Sequence, residues 1–257
     1  MHIKEIARSE LAEFLKVRWK PERDLLIVLC SYIALVATMF TAFEIVTSDN
    51  VAPYFILYGF VTILLIGVVV PLAYTVLVRK RPLSEVGITK KYWIASLVLG
   101  AILGLVTYQG TLAQDELPVF EELMPLVMVA FTVGLFEAVF FRGWAQLAFE
   151  RSFGAMPAVL IGSAMYSLYH IGYGMEASEL MFLFVLGVTF ALAFRATRNV
   201  LVLWPLYTWV GGLHNNVAEG LTMDFGAVYG FTIVLVLILM SIAAISRRGR
   251  KLAAGSS

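Results

Sequence analysis

Residues 25–46 read LLIVLCSYIALVATMFTAFEIV, and Glu44 is the one charged residue in this run. A helix rises about 1.5 Å per residue and the hydrocarbon core of a bilayer is about 30 Å thick, so a run of this length predicts a transmembrane helix. The run is too long for the apolar region of a signal peptide and lacks a small-x-small cleavage site. We therefore expect residues 25–46 to form the first membrane span.

Similar apolar runs recur along all 257 residues, of which 60% are hydrophobic and 14% charged, with a mean hydropathy of +0.86. A soluble domain of this length needs far more charge to cover its surface. The fifth to seventh runs are short and closely joined, so one of them is expected to be a re-entrant or broken helix. Pro71 is expected to kink the second span. The sequence predicts an all-α, polytopic transmembrane helix bundle of about eight spans, at residues 25–46, 53–78, 93–110, 123–149, 156–173, 180–197, 199–219 and 226–246.

Lysine and arginine segregate to one side of this predicted bundle. All 19 of them lie before the first span, after the last span, or in the alternate loops and span ends on that same side. Because cytoplasmic loops are enriched in positive charge, both termini are predicted to lie in the cytoplasm, as in a multi-pass protein of the cell membrane. The opposite loops carry acidic residues instead, namely Asp49, Asp115, Glu116, Glu121, Glu122, Glu176, Glu179, Glu219 and Asp224.

The predicted organisation is an N-terminal segment at 1–24, the bundle at 25–246 and a basic cytoplasmic tail at 247–257. Apolar residues recur at helical spacing in the N-terminal segment, which favours an amphipathic helix on the cytoplasmic surface over a solvated charged tail. The lone Cys30 excludes a disulfide framework, and the net charge of +1 argues against a nucleic acid as partner. The loops are short, so function is expected to lie within the bundle.

Ionisable side chains inside a bilayer are costly and are candidates for function. The candidates at depth are Glu44, Glu137, Arg142, His170 and His214. Glu44 is close enough to the outer end of its span to reach the interface, and Arg142 is long enough to snorkel toward the cytoplasm. Glu137 is near the middle of the fourth span, so it is expected to face the interior of the bundle.

His170 and His214 are two of the three histidines in the chain, and each lies on its own span. Together with Glu137 they provide side chains that hold a water molecule, donate to an oxyanion or bind a metal ion. The alternative is a buried polar network that only fixes helix packing.

The order and spacing of these residues resemble the signature of the CPBP family of intramembrane proteases. That family includes CAAX prenyl-protein endopeptidases, bacteriocin-processing and immunity proteins, and myxosortase-like enzymes. Its signature is Glu-Glu-x-x-x-Arg on one helix, Phe-x-x-x-His on the next and a later His-x-x-x-Asn. The matching stretches here run from Glu137 to Arg142, from Tyr166 to His170, and from His214 onward. With RPLSEVGI at 81–88, the resemblance covers a core from about 80 to 245.

The resemblance implies that Glu137 activates water, that His170 orients the water or protonates the leaving amine, and that His214 donates to the oxyanion. Tyr166 is expected to shape the pocket, and Arg142 to anchor its helix. The chain departs from the signature at two positions, where Ala138 replaces the second glutamate and Ala218 replaces the asparagine. Asn215 is a substitute for that asparagine, but it lies about 100° around a helix from His214 and reaches the same site only if the helix is rotated or distorted.

The predicted function is therefore hydrolysis of a peptide bond in a membrane-anchored or exported substrate, sorted at its C-terminus or prenylated, without a cofactor. The depths of the two histidines predict that the site opens toward the exterior. A zinc protease with Glu137, His170 and His214 as ligands is an alternative, although the usual His-Glu-x-x-His helix is absent. A third hypothesis is an inactive, CPBP-like scaffold or regulator of partner proteins, and a transporter is disfavoured because no repeated halves are visible.

Overall fold

The computed structural model of the protein describes residues 2–45 and 54–254, with side chains described for 8–45 and 54–251. Within these residues the regular secondary structure is entirely helical, which confirms the predicted fold class. Asp49 of the first predicted exterior loop, and Pro53 at the start of the second predicted span, lie outside the described residues.

The main helices follow the predicted spans closely. Short 3₁₀ turns lie between some of them, at Leu83–Val86, Leu112–Gln114, His170–Tyr173 and Val200–Val202. In chain order the helices are α1 His2–Leu15, α2 Arg23–Glu44, α3 Phe55–Val78, α4 Trp93–Gly110, α5 Phe120–Phe153, α6 Ala155–Tyr169, α7 Ala177–Thr197, α8 Thr208–Ala218 and α9 Gly226–Ala254.

Six of these helices, α2, α3, α4, α5, α7 and α9, are long and apolar enough to cross a membrane. The remaining two predicted spans correspond to α6, with 15 residues, and α8, with 11 residues. An 11-residue helix is only about 16 Å long, so α8 is too short to cross a bilayer alone. The expected bundle of about eight membrane-region helices is therefore present, and α8 is a broken element of the kind predicted for this part of the chain.

Two helices run well beyond their predicted boundaries, and one is shorter. Helix α5 extends beyond 123–149 at both ends, α9 continues beyond 246 to Ala254, and α8 begins only at Thr208 within the predicted span 199–219. Lysine and arginine are good helix formers, so the charged residues that end the membrane span do not end the helix. Segment 1–24 contains the predicted helix, α1, whose position on a membrane surface remains a prediction.

Two helices contain stretches in which the backbone hydrogen bonds widen to the π pattern. In α3 these stretches are Phe55–Val69 and Tyr74–Val78, separated by Val70–Ala73, which contains Pro71. Because proline has no N–H to donate, the hydrogen-bonding pattern changes around Pro71, where the sequence predicted a kink. In α5 the π stretch is Ala138–Gln146 and begins directly after Glu137.

Ion pairs join the basic segments of the chain at one end of the bundle. The buried carboxylate of Asp24, at the start of α2, lies 3.0 Å from both Arg79 and Arg81, which follow α3, and 3.6 Å from Arg151 near the end of α5. Glu150 is similarly paired with Arg195 in the last turn of α7 and with Arg198 just after it. Because helix ends that are distant in sequence meet here, the helices alternate in direction as the charge pattern predicted.

Helix α5 forms the centre of the bundle. In its most apolar stretch 67% of the residues are buried, against 17% for α4 and α9, which present much of their surface outward. Helices α3, α8 and α9 pack against α5, while α6 and α7 pack along each other. This arrangement surrounds the middle of α5 with protein, as an ionisable residue there requires.

Glycines allow α4 to approach the irregular segment that precedes α8. A Cβ atom added at Gly100 would overlap the backbone carbonyl oxygen of Val202, and one added at Gly104 would overlap that of Leu206. Small residues spaced by four bring backbones together in this way.

We expect Gly104→Ala to lower the free energy of unfolding by about 1–3 kcal/mol, because the added methyl group meets backbone that cannot rotate away. Gly110→Ala is the matched control, since nothing lies within 4 Å of a Cβ there. The control should change stability by less than about 1 kcal/mol. Equilibrium unfolding in detergent micelles measures both variants, and equal stabilities would contradict the close contact.

Candidate active site

Glu137 lies at the centre of the site. It is the last α-helical residue before the π stretch of α5, and it is only 7% exposed. The Tyr169 hydroxyl donates a hydrogen bond to its Oε1 atom. Its carboxylate therefore points into the bundle, as predicted, whereas Glu44 is exposed at the end of α2.

His170 lies beside Glu137, in the turn that follows α6. Its Nδ1 atom is 2.8 Å from the backbone carbonyl oxygen of Tyr166. A carbonyl oxygen only accepts, so Nδ1 carries the hydrogen and Nε2 of the neutral ring is an acceptor. Nε2 is 4.0 Å from Glu137 Oε1, too far for a direct hydrogen bond but close enough for one water molecule to bind both.

Glu137 and His170 both face an internal cavity of about 780 Å³. One wall is aromatic and draws on several helices, with Phe43, Tyr54, Phe55, Tyr58, Tyr166, Tyr169 and Tyr173. Glu219, Leu221, Thr222 and Asp224 line the cavity toward the loops that carry the acidic residues. A pocket of this size, mostly apolar with a few convergent polar groups, is typical of a ligand or substrate site.

Helix α8 presents one face to the cavity, and His214 is not on it. The cavity-lining residues of this face are Thr208, Gly211, Gly212, Asn215, Asn216 and Glu219, spaced by three and one as on a single helical stripe. The helix is thus rotated so that the asparagines face the site without local distortion.

His214 is instead bound to the loop between α4 and α5. Its Nδ1 atom lies 2.6 Å from Asp115 Oδ2, and both side chains are partly exposed. The predicted meeting of His214 with Glu137 and His170 in one pocket is therefore not found. The reason is helical geometry. Adjacent side chains on a helix point about 100° apart, and Asn215 is the one that faces the cavity.

Arg142 is buried between α5, α6 and α7 at 1% exposure, so it does not snorkel to the surface as expected. Its guanidinium lies over the Tyr166 ring, 5.1 Å from the ring centroid. Within the described residues it has no carboxylate within 4.0 Å, and Nη1 and Nη2 have no hydrogen-bond partner. Ala138, at the position of the missing second glutamate, lines a small void with Arg142 and Glu137.

Tyr169, Tyr173 and Tyr58 also contribute to this cavity wall and were not predicted from the sequence. Tyr169 and Tyr173 follow Tyr166 at spacings of three and four, in the stretch YSLYHIGY, so they could have been found as one helical face around His170. Tyr58 comes from α3 and contacts Tyr173, with 2.5 Å between the hydroxyl oxygens. Nothing in the sequence near Tyr58 links it to this site.

No group of three His, Cys, Asp or Glu side chains suited to a metal ion occurs in the part of the chain that the structure describes. The alternative zinc set of Glu137, His170 and His214 is not assembled, because His214 lies with Asp115. The geometry gives this alternative no support.

A helical multi-pass membrane protein with a glutamate and a histidine facing an internal cavity is the class that this fold and site define. Residues 118–210 match the family model described as type II CAAX prenyl endopeptidase Rce1-like. The match contains Glu137, Arg142, Tyr166 and His170 and ends before His214. This match supports the resemblance to the CPBP family over this segment, and the matched model describes proteases. Neither a curated protein nor a solved structure matches the chain.

We expect His214→Ala and Asp115→Ala each to lower the free energy of unfolding by about 1–2 kcal/mol, because each breaks the same tie between α8 and the loop. The double variant should lose little more than either single variant, and a double-mutant cycle of unfolding measurements in micelles gives this coupling. Additive losses would mean that His214 acts independently of Asp115.

Proposed function

We propose that this protein is an intramembrane endopeptidase in which Glu137 activates the water that hydrolyses the peptide bond. The observation that carries the proposal is the approach of Glu137 and His170, 4.0 Å apart, on the wall of a cavity inside the bundle. Both residues fall in the segment matched by a protease family model.

In the proposed reaction one water molecule lies between Glu137 Oε1 and His170 Nε2. Glu137 accepts a proton as the water oxygen attacks the carbonyl carbon, and it returns the proton to the leaving nitrogen as the C–N bond breaks. His170 accepts a hydrogen bond from the water and orients it. The hydrogen bond from Nδ1 to the Tyr166 carbonyl keeps Nε2 available for this contact.

The side-chain amides of Asn215 and Asn216 are the proposed donors to the oxyanion. They line the cavity on the same stripe of α8 as Gly211 and Gly212. In this proposal His214 is a positioning residue that fixes α8 through Asp115, in place of the oxyanion role that the family resemblance implied. Arg142 and Tyr166 hold the helices behind the site.

The proposed substrate is a membrane-anchored or exported peptide. The cavity extends from Glu137 to Glu219 and Asp224, residues that the charge pattern assigns to the exterior side. The wall of the cavity is mostly apolar, so it would shield the apolar side chains of a substrate segment that has left the bilayer. The inactive scaffold remains the competing function, because Ala138 replaces one of the family's acidic residues.

Glu137→Gln is expected to abolish cleavage, because an amide cannot accept the proton while its size preserves the packing. The measurement is comparative proteomics of a deletion strain restored with wild-type or Glu137→Gln protein, in which true substrates shorten only with the wild type. Glu44→Gln, at the exposed end of α2, is the matched control and should behave as wild type.

Two results would separate the competing functions. Normal expression and a wild-type phenotype from Glu137→Gln would favour the scaffold and remove the general-base role. Loss of cleavage on treatment with a chelator, with metal found by elemental analysis, would favour metal-assisted hydrolysis instead.

We expect alanine at Asn215 or Asn216 to lower kcat by about 10²–10³-fold for whichever amide contacts the oxyanion, since that donor acts in the transition state. KM should change little, and the thermal unfolding midpoint should stay near that of the wild type. Asn199→Ala is an informative contrast. Asn199 is buried outside the cavity and donates to the backbone carbonyls of Thr89 and Lys91. Its loss should lower the unfolding midpoint more than it lowers kcat. Full kcat in both Asn215→Ala and Asn216→Ala would exclude α8 as the source of the donor.

A further inference from the structure

The carboxylate of Glu137 depends on one direct hydrogen bond. Among the described residues, the Tyr169 hydroxyl is its one hydrogen-bond donor, and the nearest ion-pair partner is His170 at 4.0 Å. A buried carboxylate with so few partners is held in place by whichever donor remains. The direction of the Tyr169 hydroxyl therefore determines how Glu137 presents its free lone pairs to the cavity.

Tyr169 itself is rigidly held. Its side chain is fully buried, with the ring stacked on Phe141 at 5.0 Å and 30° and packed edge-on against Phe136 at 6.2 Å and 83°. Aromatic contacts on two sides restrict rotation of the ring. The hydroxyl oxygen is thus fixed relative to α5, the helix that carries Glu137.

A group of tyrosines continues from Tyr169 to α3. The rings of Tyr169 and Tyr173 are in contact, with centroids 5.9 Å apart, and the Tyr173 and Tyr58 hydroxyl oxygens are 2.5 Å apart. Phe43 of α2 packs against Tyr58 and Tyr173, with ring centroids 5.5 Å and 4.8 Å away. The hydrogen bond between Tyr58 and Tyr173, together with these ring contacts, holds Tyr173 against the Tyr169 ring.

We propose that Tyr169 is a positioning residue that fixes the Glu137 carboxylate for water activation, and that Tyr173 and Tyr58 support the Tyr169 ring. This inference rests on the proposed function and assigns a part in the site to α3, which lies outside the segment matched by the family model. The effect is on the orientation of the base, since none of the three hydroxyls takes part in bond making or breaking.

The test compares tyrosine-to-phenylalanine variants, which keep each ring and remove only its hydroxyl. Tyr169→Phe should lower kcat by about 10- to 100-fold, the usual effect of losing a hydrogen bond to a charged group, with KM changed less than about twofold. Tyr173→Phe and Tyr58→Phe should lower kcat by progressively less. Cleavage of a substrate found by the proteomic comparison provides the rates.

Tyr32→Phe is the matched control. The Tyr32 hydroxyl donates to the carbonyl of Met165 on α6 at 3.1 Å, and its ring packs on Phe141, but it does not line the cavity. It should therefore match the other variants in its loss of thermal stability while retaining the wild-type kcat. An equal fall of kcat in Tyr32→Phe and Tyr169→Phe would overturn the positioning role, because general loosening of α6 would then explain both.

A second readout does not depend on activity. The infrared carboxyl band of Glu137 is assigned by its disappearance in Glu137→Gln, and Tyr169→Phe should shift this band because the hydrogen bond is lost. If Tyr169→Phe does not fold, Tyr173→Phe tests the same group of tyrosines, and it should shift the band by less. An unchanged band with unchanged kcat would overturn this inference alone, whereas cleavage by Glu137→Gln would overturn the proposed function and leave the infrared result standing.

Discussion

A carboxylate in the middle of a membrane helix is the constraint on which the rest of this structure depends. Glu137 has no route to bulk water along its own helix, so surrounding helices must supply both its shield and its partners. The bundle meets this need by placing α5 at its centre and bringing Tyr169 and His170 from the end of α6. The backbone of α5 changes from α to π hydrogen bonding directly after Glu137. Such π stretches are frequent at functional sites.

Close approach of helices makes this arrangement possible. Glycines at 100, 104 and 134 let backbone or short side chains from the region of α8 pack where a Cβ atom would collide. Gly187 similarly leaves space for Tyr166 and the Arg142 guanidinium. In a bilayer, apolar surface between helices gives little driving force, so such tight packing contributes much of the stability. The polar site and the small-residue contacts are thus parts of one packing solution.

Much of the fold could be predicted from the sequence, because charge and apolar length act over whole segments. The segregation of all lysines and arginines fixed the alternation of the helices, and the ion pairs of Asp24 and Glu150 agree with it. Glu137 and His170 were identifiable because ionisable residues are so rare at that depth. His214 was misplaced because a choice between neighbouring positions depends on helix rotation, which packing determines and local sequence does not. Tyr58 was missed because its contact with Tyr173 joins segments far apart in the chain.

Phe43, Tyr54 and Tyr58 form a wall of the cavity that lies outside the segment matched by the family model. They come from α2 and from the start of α3, whereas Glu137 and His170 come from the matched segment. The matched segment is therefore not a portable unit: excised or grafted onto other helices, it would keep its ionisable pair and lose an enclosing side. Sequence changes in α2 and α3 can accordingly reshape the cavity while Glu137 and His170 stay the same.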